Sequence, residues 1–337
     1  MLYALAWGGF SEILGRMQHL PLGGVNPVFR YFIKRVITLI PILLVVSFLV
    51  FWLMSMTGDP ARTKAGDFAT EEQIELMREQ MGLNDPITVR FGRWITDVVL
   101  RGDFGEGLYG NDCWEEFALR IPHTVKLAFA SILLTVAIAV PFGIIAAVKQ
   151  NTWIDTILSS TAMLGISMPT FWLGMLLMIL FAVKLRWLPT SGDDGSLLCL
   201  LMPMFCSAVN NAALVTRMTR SSMVDQIRAD YLRTARAKGV PEKMVILKHA
   251  LKNALIPIIT IVGSQFSILL GGTTVIEAVF SWPGVGMHTI TRIRTNDFMS
   301  ATCNIILISV LTAVVLLAVD MLYAFVDPRI KARYKKG

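Results

Sequence analysis

The chain has 337 residues, of which 54% are hydrophobic and only 16% charged, with four cysteines and a formal net charge of +7. A soluble domain keeps about a quarter of its residues charged, so this composition excludes one and reads as an all-α polytopic membrane protein. The basic residues flank apolar runs and do not interleave with aromatics, which points to a bilayer and away from nucleic acid.

Residues 1–29 hold a short apolar stretch, LYALAWGGF, too short to span a bilayer and with no cleavage site behind a proper apolar core. They are set apart as an N-terminal extension, an interfacial helix or a cytoplasmic tail. The first transmembrane helix is expected within 30–57, its apolar part running from about Val36 to Met56 behind Arg30, Lys34 and Arg35. Basic residues before the span place the N-terminus in the cytoplasm. Residues 58–123 carry seven Lys/Arg against thirteen Asp/Glu and are expected outside, with a helix from Thr70 to Met81 stopped at Gly82.

A core of five further spans is expected over 124–327: about Thr124–Val148, Ile157–Val183, Leu197–Met218, Ile256–Phe280 and Ala301–Val326. Between the last two, Trp282, Pro283 and Gly284 read as a tight, exposed external turn beside an interfacial Trp. With the basic cytoplasmic tail at 328–337, six spans put both termini inside.

The same parity places a basic hairpin, 219–255, on the inner face. The stretch Arg217–Pro257 around it holds nine Lys/Arg against three Asp/Glu. A helix from about Asp230 to Lys238 is expected to stop at Gly239, with Pro241 opening an amphipathic second arm that runs to about Asn253. Charge alone leaves two readings: a solvated loop held on anionic lipid, or a short helix offered to a partner.

No GxxxxGK[ST] loop, HExxH helix or GxSxG elbow occurs, so no catalytic residue and no cofactor is assigned to this chain. The cysteines form no CxxC pair or His-containing set, so no metal site is expected. Polar residues inside spans are costly in hydrocarbon and tend to face a bundle interior or a watery path. Ser207, Asn210, Asn211, Ser264 and Gln265 are the candidates for such a lining. Ser131 with Thr135, Ser167 with Thr170, and Thr273 with Thr274 are further candidates, the alternative being helix-packing contacts. Asp320 reads as the only acid well inside a predicted span, its spacing from the tail allowing a buried structural pair with a basic residue, the alternative being an ion relay. The four histidines are read as interface or loop residues.

The run DYLRTARAKG, from Asp230, resembles the EAA loop of ATP-binding-cassette importer permeases in its peptide-type form, with Arg233 and Thr234 where Glu and the first Ala of the general form stand, and Ala235 and Gly239 kept. SMPTFWLG at Ser167, LPTSG at Leu188, FSWPGVG at Phe280 and DMLYAFVDPRIK at Asp320 follow the order of the dipeptide, oligopeptide and nickel family. The long segment after the first span is similar to the B type of that family's two paired permeases. The resemblance implies a type I importer permease fold in a bacterial or archaeal plasma membrane. It implies a coupling helix of Asp230, Tyr231, Arg233, Thr234, Ala235, Arg236, Lys238 and Gly239, with Ala235 allowing close approach and Arg233, Arg236 and Lys238 facing acids on the partner. One or two separate ATP-binding subunits would hold ATP and Mg. A second homologous permease would supply the other half of the path, and an extracytoplasmic solute-binding protein would dock on the acidic segment and the Trp282 turn. The implied solute is a di- or oligopeptide, or else a nickel chelate or glutathione. An ion-driven secondary transporter would want an inverted repeat and buried ionisable groups at the midplane. A membrane-embedded enzyme would want a catalytic set.

Overall fold

The computed structural model describes residues 27–66 and 68–326. Residues 1–26 of the extension and the basic tail lie outside the described residues. The first helix, α1 (Pro27–Thr57), contains a 23-residue apolar run, Arg35–Thr57. At 1.5 Å per residue that run is about 34 Å long, enough to cross the hydrocarbon core.

Three short helices then build a cap: α2 (Pro60–Ala65), α3 (Glu71–Gln80) and α4 (Ile87–Arg101). Local chemistry explains each boundary. Asp59 caps α2 by accepting from the Ala61 amide, and Pro60 takes the first helical position, where a missing N–H costs nothing. Thr70 and Gln73 form a reciprocal capping box at α3, and the chain leaves that helix through Gly82 at φ +63°.

The next helix, α5 (Cys113–Val148), starts eleven residues before the expected second span, within the stretch 58–123 expected outside. Asp112 caps it through the Glu115 amide at 2.8 Å, and Glu115 and Glu116 complement the dipole of its first turn. Hydropathy reads only the apolar part of the helix, whereas its start is set by capping.

The third span is not straight. The helices α6 (Trp153–Ser167) and α7 (Thr170–Lys184) meet at 97°. Pro169 cannot donate to the preceding turn and forces Met168 into extended backbone, φ −89° and ψ 125°, which breaks the helix there. The remaining elements are α8 (Leu197–Ile227), α9 (Asp230–Ala237), α10 (Glu242–Gly272, wound as a π turn over Val245–Ala250), α11 (Thr274–Val279), α12 (Val285–Arg294) and α13 (Phe298–Val326). Among the described residues five helices are long and apolar enough to cross a membrane, or six when α6 and α7 count as one bent span.

The expected hairpin is shorter than 219–255. α8 continues through Ile227 and α10 begins at Glu242, so the second amphipathic arm is the foot of a span and not a separate helix. In the bundle, α5 and α8 pack along their length, α6 and α10 lean on α8, and α13 joins α10 to α1. Small residues permit the closest crossings. A Cβ at Gly143 of α5 would stand 2.5 Å from the Thr219 Cβ and 2.8 Å from the Thr216 carbonyl oxygen of α8.

The expected structural pair of Asp320 with a basic residue forms, at 2.5 Å with Arg35 of α1. The reading of Asp320 as the only acid well inside a span is corrected. Glu277 lies in the stretch read as the fifth span and is fully buried, and Asp155 at the start of α6 is buried too.

Candidate functional site

At one end of the bundle, α9 stands on a single apolar anchor. Leu232 is 0% exposed and sits among Ala147 of α5, Met223 of α8, and Val245, Ala250, Ala254 and Ile258 of α10. Its neighbours on the helix, Asp230, Tyr231, Arg233, Thr234, Ala237 and Lys238, are exposed. Ala235 packs against the same apolar cluster, so its small side chain serves the seating of α9 on the spans. Gly239 adopts φ +76° with open space around its Cβ position, so the turn needs glycine for its backbone and not for room.

Polar contacts hold the hairpin to the bundle. Arg236 donates through Nε and Nη2 to the Glu242 carboxylate at 3.0 and 2.8 Å, which closes the turn and occupies a side chain expected to face a partner. Arg233 lies 3.4 Å from Asp230 along the exposed side. One helical level further in, Arg220 of α8 grips the buried Asp155 carboxylate with two bonds of 2.6 Å. Asp155 also accepts from the Asn151 amide, so this fork ties α6 to α8 beside the hairpin.

The candidate path residues lie on two adjacent helices, Ser207, Asn210 and Asn211 on α8 and Ser264 and Gln265 on α10. Ser207 and Gln265 are buried, and the others are half-buried. Several of these polar groups are satisfied within their own helices. Asn211 donates to the Ser207 carbonyl at 2.7 Å and Ser264 to the Thr260 carbonyl at 3.0 Å. Ser131 and Thr135 likewise bond back along α5, Thr135 also reaching the Ala208 carbonyl of α8 at 3.4 Å. Ser167 bonds back to Met163 at the α6 end, where the chain breaks toward Thr170.

At the opposite end the Trp282 turn is not exposed. Trp282 is 0% and Phe280 2% exposed, Gly284 is buried and Pro283 half-buried, which corrects the reading of an interfacial Trp on an open turn. The cause is the loop 185–196, which folds over it. The Gly192 amide donates to the Phe280 carbonyl at 2.9 Å, and Leu188 packs on the cluster holding Trp282. Trp282 Nε1 donates to the His123 carbonyl at 3.0 Å, and Lys126 Nζ stands 5.2 Å from its ring centroid. Asp193 of that loop accepts from Lys126 and contacts His123 Nδ1 at 3.0 Å. Burial pushes the Asp193 carboxyl up, but bonds from Lys126, the Gly195 amide and His123 outweigh it and hold it below the usual carboxylate range.

The turn wraps a carboxylate. Glu277 Oε1 accepts from Thr124 Oγ1 at 2.9 Å and Thr273 Oγ1 at 3.0 Å, and Oε2 accepts from the Met287 amide at 3.0 Å. Thr124 in turn accepts from the Val285 amide at 2.9 Å. A Cβ at Gly284 would lie 2.4 Å from the carboxylate, and one at Gly286 would lie 2.6 Å from the Thr274 Cα and 2.9 Å from Glu277 Oε2. The glycines therefore let backbone approach a buried anion that stitches α5, α11 and α12 together.

Beside it, a second buried network joins α5, α12 and α13. Arg292 pairs with Glu116, donates to His288 Nε2 at 2.9 Å and reaches Asp297 at 3.6 Å. The Asn304 amide lies 2.9 Å from His288 Nδ1. Burial, then the charge of Arg120, brings the His288 imidazole down to about 4, so it is neutral at physiological pH. The sequence had marked none of Leu232, Arg220, Glu277 or Arg292; a lone Glu ahead of a WPGVG run was the one readable signal.

A family model described as "Binding-protein-dependent transport system inner membrane component" matches residues 139–332, and one for its N-terminal part matches 28–128. The "Glutathione transport system permease protein GsiC" of Salmonella paratyphi A is 44% identical over 310 residues, covering 91% of this chain and 100% of that protein. GsiC of Escherichia coli (strain K12) is 43% identical with the same coverage. Among solved structures, a chain of the MetNI methionine ABC transporter in an inward-facing conformation aligns with a TM-score of 0.54 at 17% identity, over 63% of this chain and 96% of that chain. At that identity the likeness is one of fold.

Proposed function

Because this chain belongs to the family of binding-protein-dependent transport system inner membrane components, it is a permease subunit of an ABC importer in the bacterial inner membrane, and we propose that α9 is the helix through which a separate ATPase drives it. The observation that carries this reading is the seating of α9: its fully buried Leu232, with Ala235 beside it, belongs to an apolar cluster drawn from α5, α8 and α10, while Asp230, Tyr231, Arg233, Thr234 and Ala237 are exposed. A push on α9 then reaches three spans through packed side chains. Such coupling needs an element whose position differs in free energy between inward-open and outward-open states, which ATP bound on the partner biases.

In this reading Asp230, Arg233, Thr234 and Lys238 meet the ATPase, while Arg236 holds the hairpin closed through Glu242. ATP and Mg belong to one or two partner subunits, and this chain carries no hydrolytic role. α8 and α10 present Ser207, Asn210, Asn211, Ser264 and Gln265 to a path completed by a second homologous permease, and an extracytoplasmic solute-binding protein delivers the solute. With the hairpin inside, the cap α2–α4 and the Glu277 turn lie on the outer face. Similarity to glutathione permeases makes a small peptide of the glutathione kind the first substrate to test.

The test is co-purification of the tagged chain in mild detergent, with partners identified by mass spectrometry. The expected result is recovery of a second permease and ATPases, and loss of the ATPases alone from a double variant, Arg233→Glu with Thr234→Glu, that still inserts. A chain recovered alone that transports on an ion gradient after reconstitution overturns the reading.

A further inference from the structure

A cavity of about 750 Å³ opens between the outer end of α1, the cap and the start of α13. Its walls include the apolar side chains Phe51, Met54, Trp94 and Phe298 together with Arg78, Arg90 and Arg93. The acids around it are already engaged. Asp59 is held by Arg78 at 2.5 Å, Asp97 by Arg101 at 3.1 Å, and Asp103 accepts from the Gly105 amide at 2.8 Å. Arg93 is taken by Asp85. Among the described residues Arg90 has no carboxylate partner. Its guanidinium lies only over the Phe51 ring, 5.9 Å from the centroid, and burial lowers its affinity for the proton.

A half-buried guanidinium without an anion is a costly arrangement, and one that an incoming oxyanion relieves. The level of the cavity narrows the choice of ligand. The apolar run of α1 ends at Thr57, so Phe51 and Met54 lie within two turns of its end, and the Arg90 guanidinium stands beside Phe51 at that level. That is where the phosphate of a lipid stands, with its acyl chain alongside the helix, and Leu53 and Met56 on the same turns are exposed for that chain.

We propose that this cavity binds an anionic phospholipid of the outer leaflet, its phosphate bonded to Arg90 and its acyl chain entering against Phe51, Met54 and Phe298. Guanidinium and phosphate match as a two-bond fork, and a volume near 750 Å³ is within the usual range of small-molecule sites. The lipid would brace the cap, through α4, against the first and last spans.

The test uses the assembled transporter in detergent and follows thermal unfolding with added dioctanoyl phosphatidylglycerol, dioctanoyl phosphatidylcholine or the dipeptide leucyl-leucine. The expected result is saturable stabilisation by the phosphatidylglycerol, little by the phosphatidylcholine, and an apparent affinity about tenfold weaker in Arg90→Gln, as for loss of a charge-assisted hydrogen bond. Equal stabilisation by both lipids, no stabilisation by either, or an unchanged response in Arg90→Gln overturns the proposal. Stabilisation by leucyl-leucine that vanishes in Arg90→Gln, with none from phosphatidylglycerol, assigns the anion to a solute carboxylate and overturns the lipid. If Arg90→Gln fails to assemble, Arg90→Lys serves in its place. It keeps the charge but not the fork, so preference for phosphatidylglycerol survives at reduced affinity, and loss of all difference from the wild type overturns the role of Arg90.

Discussion

Replacing Gly284 with alanine puts a methyl group where the Glu277 carboxylate already is. The ideal Cβ stands 2.4 Å from Cδ and from Oε2, and 2.5 Å from Oε1, against an ordinary contact of 3.4 Å or more. The carboxylate cannot swing away freely, because Thr124, Thr273 and the Met287 amide hold it from three sides. Either a bond is given up or the turn shifts, and overpacking of this kind costs about 1–3 kcal/mol. Glu277→Asp shortens the side chain by one methylene and relieves the clash while weakening the bonds. The two substitutions touch the same atoms, so their costs should fall short of additive by more than about 0.5 kcal/mol. The assay is thermal unfolding of the purified complex for the two single variants, the double and the wild type. Wild-type stability in Gly284→Ala, or strict additivity in the double, would refute the idea that the glycine exists to admit the carboxylate.

Two further outcomes follow from buried charge. Breaking the Asp155–Arg220 fork with Asp155→Asn or Arg220→Met should each cost about 3 kcal/mol, because the remaining group is left unpaired. The double variant should cost less than the sum, so additive melting temperatures would show that the pair does not hold α6 to α8. For His288 the sign runs against acid. Its imidazole is held near 4 in the fold against 6.5 when free, so the unfolded chain binds the extra proton between those values. Its contribution, on the order of 3 kcal/mol, is complete above about pH 6.5 and is lost as pH falls toward 4. Melting curves should therefore drop from pH 7 to 5 in the wild type and drop less in His288→Asn. Equal slopes would place the pH sensitivity elsewhere.

What could be read along the chain was whatever is decided within a few residues. The capping box at Thr70, the stop at Gly82 and the turn at Gly239 depend on neighbours in sequence, and the structure places a boundary at each. The apolar runs located the candidate spans for the same reason, since length and hydropathy are properties of one segment. The eleven residues of α5 ahead of the expected span were not read as helix because hydropathy marks only the apolar part, although the Asp112 cap was there to be seen.

The remaining features belong to the tertiary structure. Glu277 owes its burial to Thr124, 153 residues earlier, and Trp282 owes its concealment to a loop that returns from 185–196. Leu232 looks like any leucine in a basic helix until α5, α8 and α10 converge on it. The sequence by itself determined the class, the places of the apolar segments and the local stops, because backbone and solvent enforce these one segment at a time. Only the fold decided which polar groups are satisfied, which turn is covered and which leucine seats α9 on the bundle, because those depend on which distant atoms exclude water.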